Sequence, residues 1–147
     1  AIENHFRLSS KELAALVQEV GDPHLGICLD TANSIARLEG WREVVRNLAP
    51  YTVSLHAKDI AAERQGTGFA IRGRPLGQGL VDLPAVLEAV RAAGRDPNVL
   101  VEFWLDPLPD EAATLRREEE WIAESLAYLR GLAAGGPGAS SREGERG

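Results

Sequence analysis

The sequence predicts an α/β fold in which parallel βα units form the C-terminal half of a TIM (β/α)8 barrel. Three observations predict this fold. Short apolar runs alternate four times with amphipathic helical segments, the order expected for a parallel sheet with helical crossovers. Each apolar run ends in a polar or ionisable residue, at the strand end where TIM barrels hold their active sites. The chain has 147 residues, whereas a complete barrel needs about 250.

Composition restricts the class of protein. The chain is 44% hydrophobic and 26% charged, with a formal net charge of −6. It has no block of basic residues, so nucleic acid is not an expected partner. No run of 18 apolar residues is present, so no membrane association is expected. A single cysteine fits a cytoplasmic location. Because the sequence has no Met and opens inside a predicted strand, we expect the N-terminal half of the barrel to be missing from it.

The first two βα units have clear boundaries. Residues 1–5 are predicted to be a strand, and the helix after it begins at a capping box formed by Ser9 and Glu12. The helix then carries apolar residues at helical spacing. Residues 25–30 are a second apolar run of strand length, and residues 33–49 are predicted to be mostly helical.

The third and fourth units are longer. Residues 52–59 are predicted to be a strand, followed at residues 60–81 by a long loop rich in glycine and arginine. Long loops of this kind are usually functional. A helix beginning at Asp82, a strand at residues 98–103 and a long helix at residues 110–132 complete the pattern. The inward-facing residues of the last helix are predicted to be Leu115, Ile122, Leu126 and Leu129.

Residues 1–132 are therefore predicted to form one partial TIM barrel of four βα units. The remaining residues, 133–147, lack apolar anchors and are rich in Gly, Ala, Ser and charged side chains. They are predicted to form a disordered C-terminal tail.

One residue at each strand end has a side chain suited to metal binding. Successive candidates are separated by 27, 26 and 46 residues, and the first two spacings match one βα unit of about 30 residues. These candidates are Glu3, Asp30, His56 and Glu102. Each alone has a structural explanation, such as a helix-capping aspartate or a core histidine. Together, three carboxylates and one imidazole favour a single divalent metal, Mn²⁺ or Mg²⁺ first, with Zn²⁺ or Co²⁺ as alternatives.

Five short motifs resemble the last four strands of the xylose-isomerase-like barrels. They are Glu3-Asn4-His5, Leu29-Asp30-Thr31-Ala32-Asn33-Ser34, Leu55-His56-Ala57-Lys58-Asp59, Leu76-Gly77-Gln78-Gly79 and Val101-Glu102. This sugar phosphate isomerase/epimerase group includes the D-tagatose 3-epimerases and endonuclease IV. The resemblance covers about residues 1–130. It implies that Glu3, Asp30, His56 and Glu102 bind one divalent metal and that the two glutamates move protons.

The sequence departs from the nuclease branch of this group. Asn33 stands where the resemblance leads us to expect a histidine, and Ile71-Arg72-Gly73 stands where an Asp-x-His pair would lie. These two losses, with the acidic net charge, make an endonuclease the less favoured function. Asn33 also replaces a histidine of the epimerases, so the sugar itself is not identified.

The expected function is a divalent-metal-dependent sugar or sugar-phosphate isomerase/epimerase. It would work through a metal-stabilised enediolate, with Glu3 and Glu102 as the catalytic proton-transfer groups. The alternative is a metal-dependent decarboxylase or dehydratase of a keto sugar acid on the same site. An inactive fragment is a third, structural interpretation.

Five further residues are candidates for binding a small-molecule sugar or sugar acid. They are His5, Asn33, Lys58, Arg72 and Arg74. Lys58 would hold a carboxylate or phosphate, or else pair with a neighbouring acid. Either arginine of the long loop would pair with an anionic substrate group, or else be a solvated charge. Whether the protein forms a homo-oligomer is left open.

Overall fold

A computed structural model describes residues 1–135 of the chain. The strands of this part are β1 (Ile2–Glu3), β2 (Ile27–Asp30), β3 (Thr52–Ala57), β4 (Asp59–Gln65), β5 (Gly68–Arg74) and β6 (Asn98–Val101). Its α-helices are α1 (Ser10–Val20), α2 (Trp41–Leu48), α3 (Leu83–Ala92) and α4 (Glu111–Ala133). Two short 3-10 helices lie at Asn33–Arg37 and Ala49–Tyr51. Of the predicted disordered tail, residues 136–147 lie outside the described residues.

Four strands form one parallel sheet in the order β1-β2-β3-β6. Each is followed by a helix, so the described chain consists of the four predicted βα units. The register sets Asp30 opposite His56, and Ala57 opposite Val101. Because all four strands run in the same direction, their C-terminal ends meet at one edge of the sheet. None of the helices in residues 1–135 is both long and apolar enough to span a membrane.

The sheet has one apolar and one polar face in its centre. Leu29 and Leu55 are fully buried in a core that includes Leu13 of α1, Val44 of α2 and Val86 of α3. Alternation along the strands turns the intervening residues to the opposite face. Those residues are Cys28, Asp30, Ser54 and His56. The candidate metal ligands Asp30 and His56 therefore lie on strands whose opposite face packs into the core.

The glycine- and arginine-rich segment contains a β-hairpin, so the prediction of a continuous loop was wrong. Strands β4 and β5 are antiparallel, with Asp59 opposite Arg74 and Gln65 opposite Gly68. The third strand correspondingly ends at Ala57 rather than at residue 59. A Cβ on Gly73 would lie 1.9 Å from the Trp104 carbonyl oxygen. The hairpin backbone is thus packed directly against the segment that follows β6.

Helix α4 differs from the prediction in its orientation. Three of the four residues predicted to face inward are exposed: Leu115 by 53%, Ile122 by 43% and Leu126 by 36%. Only Leu129 packs against the core cluster. The residue of α4 that is buried is Ser125, whose hydroxyl accepts a hydrogen bond from the Leu76 amide. These side chains are exposed because α4 follows β6, which is the last strand at one edge of the described sheet.

The start of α1 gives a pH-dependent contribution to stability. The Glu12 carboxylate accepts hydrogen bonds from the Ser9 hydroxyl and amide, both at 2.7 Å. These bonds hold the pKa of Glu12 below its ordinary value of 4.5. A lowered pKa in the folded state means that the stabilisation is present above pH 4.5 and is lost as the pH falls through the lowered pKa.

We therefore expect the melting temperature of Glu12→Gln to fall below that of the parent protein at pH 7, and the difference to shrink at pH 3. Thermal melts at both pH values measure it. Glu19→Gln, on an exposed residue of the same helix, is the matched control. An equal difference at the two pH values would contradict the capping role.

Candidate metal centre

The four metal-capable residues come together at the C-terminal edge of the sheet. Glu3 and Asp30 are the last residues of β1 and β2, and His56 is the penultimate residue of β3. Glu102 directly follows β6, and its amide donates to the Ala57 carbonyl at 3.0 Å. One ligand atom from each of the four lies within 4.8 Å of the others.

Asp30 is fully buried and held rigidly. Its Oδ1 accepts the backbone N–H groups of Ala32, at 2.8 Å, and Asn33, at 2.7 Å, at the start of the first 3-10 helix. Its Oδ2 has no hydrogen-bond partner among the described residues. One carboxylate oxygen of Asp30 is thus used for structure, and the other faces the centre.

His56 turns its Nδ1 toward the carboxylates. This atom lies 2.9 Å from Glu102 Oε2 and 3.7 Å from Glu3 Oε1. It is nonetheless buried without a hydrogen bond of acceptable geometry. These distances show that Nδ1 and the two carboxylates face the same small volume.

Lys58 supplies a buried positive charge beside the centre. Its side chain is 1% exposed, and its Nζ donates to Asn33 Oδ1 and Glu102 Oε1, both at 3.0 Å. Nζ also lies 3.2 Å from Asp30 Oδ2, near enough for an ion pair but not aligned as a hydrogen bond. The Trp104 ring centroid is 4.9 Å from Nζ. Lys58 therefore contacts two of the four candidate ligands.

Two asparagines join the strand ends to each other. Asn33 donates from Nδ2 to Glu3 Oε1 at 2.8 Å while accepting from Lys58. Asn4, fully buried, donates to the Asp30 carbonyl at 2.9 Å and accepts the Asp30 amide at 2.7 Å. Asn4 was not among the predicted site residues, although its position directly after the candidate ligand Glu3 could have indicated a role at the site.

The other predicted substrate-binding residues are divided between two clefts. The His5 ring is exposed, lies against Phe6 with centroids 3.9 Å apart and ring planes tilted by 41°, and lines a cleft of about 190 Å³ with Glu3. Within the described chain, Arg72 pairs with Asp106 at 2.7 Å and Arg74 pairs with Glu63.

Both arginines line a separate cleft of about 390 Å³ between the hairpin and the segment after β6. Trp104 also lines this cleft. Since the Lys58 ammonium lies against the same ring, Trp104 connects the cleft to the candidate metal centre.

The donor set fits a hard or borderline divalent cation. Three carboxylates and an imidazole are the ligand types that Mn²⁺ and Mg²⁺ accept. Buried polar atoms without hydrogen bonds are costly. Within residues 1–135, Asp30 Oδ2 and His56 Nδ1 are buried without an aligned hydrogen bond, and each has one charged neighbour, Lys58 Nζ at 3.2 Å and Glu102 Oε2 at 2.9 Å. A cation held there would satisfy both.

Comparison with known proteins bears on the fold class of the chain. A sequence model described as the xylose isomerase-like TIM barrel matches residues 1–132. A 3-oxo-isoapionate decarboxylase from Pectobacterium atrosepticum is 38% identical over 130 residues, covering 87% of the chain and 47% of that protein. The uncharacterized Escherichia coli protein YihM is 29% identical over 119 residues, covering 81% of the chain and 36% of that protein. The chain thus spans no more than about half the length of these relatives.

Two solved structures are similar in fold. A xylose isomerase domain protein from Planctomyces limnophilus has a TM-score of 0.60 and 26% identity, covering 90% of the chain and 45% of that protein. A xylose isomerase-like TIM barrel protein from Mycobacterium smegmatis, solved in complex with magnesium, has a TM-score of 0.62 and 15% identity, covering 85% and 43%. These matches confirm the predicted resemblance and the predicted partial barrel.

Proposed function

Because the chain belongs to the xylose isomerase-like TIM barrel family, we propose that it is part of a divalent-metal-dependent enzyme. Its proposed reaction is the isomerisation or epimerisation of a keto sugar or sugar phosphate through an enediolate. One observation carries the proposal: one ligand atom from each of Glu3, Asp30, His56 and Glu102 lies within 4.8 Å of the others. Two buried atoms of this group, Asp30 Oδ2 and His56 Nδ1, have no aligned hydrogen bond within residues 1–135.

Glu3, Asp30, His56 and Glu102 would hold the ion. Mn²⁺ or Mg²⁺ is favoured by the three carboxylates, and Zn²⁺ or Co²⁺ is the alternative. A divalent ion supplies Lewis-acid stabilisation of the negative charge that develops when a proton leaves the carbon next to a carbonyl.

The two glutamates are the proposed proton carriers. Glu102 is oriented at both oxygens, since Oε1 accepts from Lys58 at 3.0 Å and Oε2 lies 2.9 Å from His56 Nδ1. Glu3 is oriented through Oε1 by the Asn33 amide at 2.8 Å. One glutamate takes the proton, and the other returns it to the opposite face or to the neighbouring carbon. Lys58 and Asn33 would thus position these two carboxylates.

Decarboxylation of a keto sugar acid is a second candidate, and one observation favours it. The 38% identical relative is named as a decarboxylase of such an acid. Loss of CO₂ leaves an electron pair that needs the same stabilisation, followed by protonation of the carbon by a single acid. This reaction also needs a site for the substrate carboxylate.

The cleft beside Trp104 is the proposed position of an anionic substrate group. Arg72 and Arg74 line it, and each would exchange its acidic partner for the ligand. Bidentate guanidinium contacts suit carboxylate and phosphate equally. His5 and Asn33 remain proposed contacts for sugar hydroxyls.

The test is solvent deuterium incorporation in the presence of Mn²⁺. Ketopentoses, ketohexoses, their phosphates and 3-keto sugar acids are incubated with the protein in D₂O and followed by NMR. We expect deuterium at the substrate carbon next to the carbonyl, without CO₂ release. Deuterium in a shortened product together with CO₂ would instead establish the decarboxylase.

A chelator and one variant serve as controls. EDTA should abolish exchange, and excess Mn²⁺ should restore it. Glu119→Gln changes an exposed acid of α4 that does not line the cleft of Arg72 and Arg74, and it should retain exchange. Neither exchange nor CO₂ from any of these substrates, or exchange that EDTA leaves unchanged, would contradict the proposed function.

A further inference from the structure

Cys28 lies directly below the candidate metal centre. It is two residues before Asp30 on the same face of β2, and the register sets it opposite Glu3 and Ser54. It is the single cysteine of the chain, free and buried, with 8% exposure. The Cys28 thiol and one ligand atom each of Glu3 and His56 lie within 4.8 Å of one another. This three-residue set contains Glu3 and His56, as the four-residue set does, and has Cys28 in place of Asp30 and Glu102.

The two sets differ in chemistry. A thiolate, an imidazole and a carboxylate are a zinc-type set with three protein ligands and a free fourth position. Replacing two carboxylates by one sulfur turns the preference from hard ions to thiophilic ones. His56 belongs to both sets, and its Nδ1 lies 2.9 Å from Glu102 Oε2 without an aligned hydrogen bond.

The position of Lys58 separates the two sets further. Its ammonium pairs with Asp30 and Glu102, the two residues that the sulfur-containing set does not use. An ion held by Glu3, Cys28 and His56 therefore leaves these ion pairs in place. An ion held by all four residues of the other set must share Asp30 and Glu102 with Lys58.

We propose that the centre has two overlapping metal positions, and that Glu3, Cys28 and His56 bind a thiophilic divalent ion of the Zn²⁺, Co²⁺ or Cd²⁺ type. This inference rests on the metal centre of the proposed function. Because Glu3 and His56 belong to both positions, the two ions exclude each other. An ion held by Glu3, Cys28 and His56 therefore displaces Mn²⁺ or Mg²⁺ from the four-residue position and inhibits the reaction.

Binding is coupled to loss of one proton. The thiol proton is released to solvent as the sulfur–metal bond forms.

Co²⁺ absorption spectroscopy tests the inference without an activity assay. Titration of the protein with Co²⁺ should produce a sulfur-to-cobalt charge-transfer band that saturates at one ion per chain. Since Cys28 is the single cysteine, the band reports this residue alone. Cys28→Ser and Cys28→Ala should both lose the band, while Mn²⁺ binding, followed by electron paramagnetic resonance, is retained in both.

Competition between ions gives the second readout. Cd²⁺ should release Mn²⁺ from the parent protein one for one, and much more Cd²⁺ should be needed in the two Cys28 variants. Co²⁺ bound without the band, or Cd²⁺ and Mn²⁺ bound together in one chain, would overturn the inference while leaving the four-residue site intact. Failure of the parent protein to bind Mn²⁺ would overturn the proposed function itself.

Discussion

Replacing Glu102 by Gln is expected to lower turnover by roughly 10²–10⁴-fold, the usual contribution of a positioned general acid or base. Gln cannot take up a proton, but its side-chain oxygen still accepts a hydrogen bond from Lys58. The Glu102 side chain is 45% exposed, and Lys58 keeps the Asp30 carboxylate at 3.2 Å as an anionic partner. We therefore expect the variant to fold, with a melting temperature lowered by the loss of the Lys58–Glu102 ion pair.

The measurement combines the rate of carbon-proton exchange in D₂O with Mn²⁺ affinity from electron paramagnetic resonance. Mn²⁺ affinity should also fall, because one of three anionic ligands becomes neutral. Glu119→Gln, on an exposed position of α4, makes the same chemical change away from the site and should leave both quantities unchanged. Exchange retained in Glu102→Gln at the parent rate would remove Glu102 from the proposed mechanism.

The local sequence pattern was sufficient to predict which polar residues lie at the strand ends. Apolar runs of strand length separated by amphipathic helices define parallel strands, and their last polar residues must then meet at one edge. Glu3, Asp30 and His56 were found in this way, and Glu102 lies one residue beyond its strand. To predict that these four side chains meet, it was enough to assume that the strands belong to one sheet.

Side-chain direction beyond a strand end could not be predicted. Lys58 was predicted either to hold an anionic substrate group or to pair with a neighbouring acid. It follows the end of β3 at Ala57, and its ammonium pairs with Asp30 of β2 and with Glu102 after β6. Which neighbouring acids a lysine reaches depends on tertiary contacts that the sequence pattern does not contain.

The hairpin was missed because its strands lack a regular apolar alternation. β4 is polar from Glu63 to Gln65, and β5 carries Arg72 and Arg74. The signal that was available is the turn: Gly66, with φ of 58°, lies between two strands joined by two residues. A two-residue glycine turn is a hairpin signal even where the flanking pattern is weak.

Asp59 links two of the motifs that looked independent in the sequence. It is 1% exposed, at the start of β4, and follows His56 and Lys58 in the third motif. Its Oδ2 accepts the amides of Gly77, at 3.0 Å, and Gly79, at 2.8 Å. Its Oδ1 accepts the amides of Ile60, at 2.9 Å, and Val81, at 3.0 Å. One carboxylate thus fastens the loop before α3 to the end of the sheet.

We expect Asp59→Asn to destabilise the protein by roughly 2 to 6 kcal/mol, at about 1 to 3 kcal/mol for each donor left unpaired. The carboxamide keeps one acceptor oxygen, but its NH₂ group must face two backbone N–H donors. Urea denaturation of the parent and the variant measures the difference in the free energy of unfolding. Asp82→Asn is the matched control, because Asp82 caps α3 by accepting the Ala85 amide and Asn caps helices as well as Asp.

Gly79, in the same loop, gives an independent check on the contact between the loop and Asp59. A Cβ at Gly79 would lie 2.2 Å from Asp59 Oδ1 and 2.3 Å from the Ile60 carbonyl oxygen. Gly79→Ala must therefore displace the loop from the carboxylate, and combining it with Asp59→Asn should cost much less than the sum of the two single changes. Additive losses would show that the two residues act separately. A shared loss would show that Asp59 holds the loop that connects the arginine-bearing hairpin to α3.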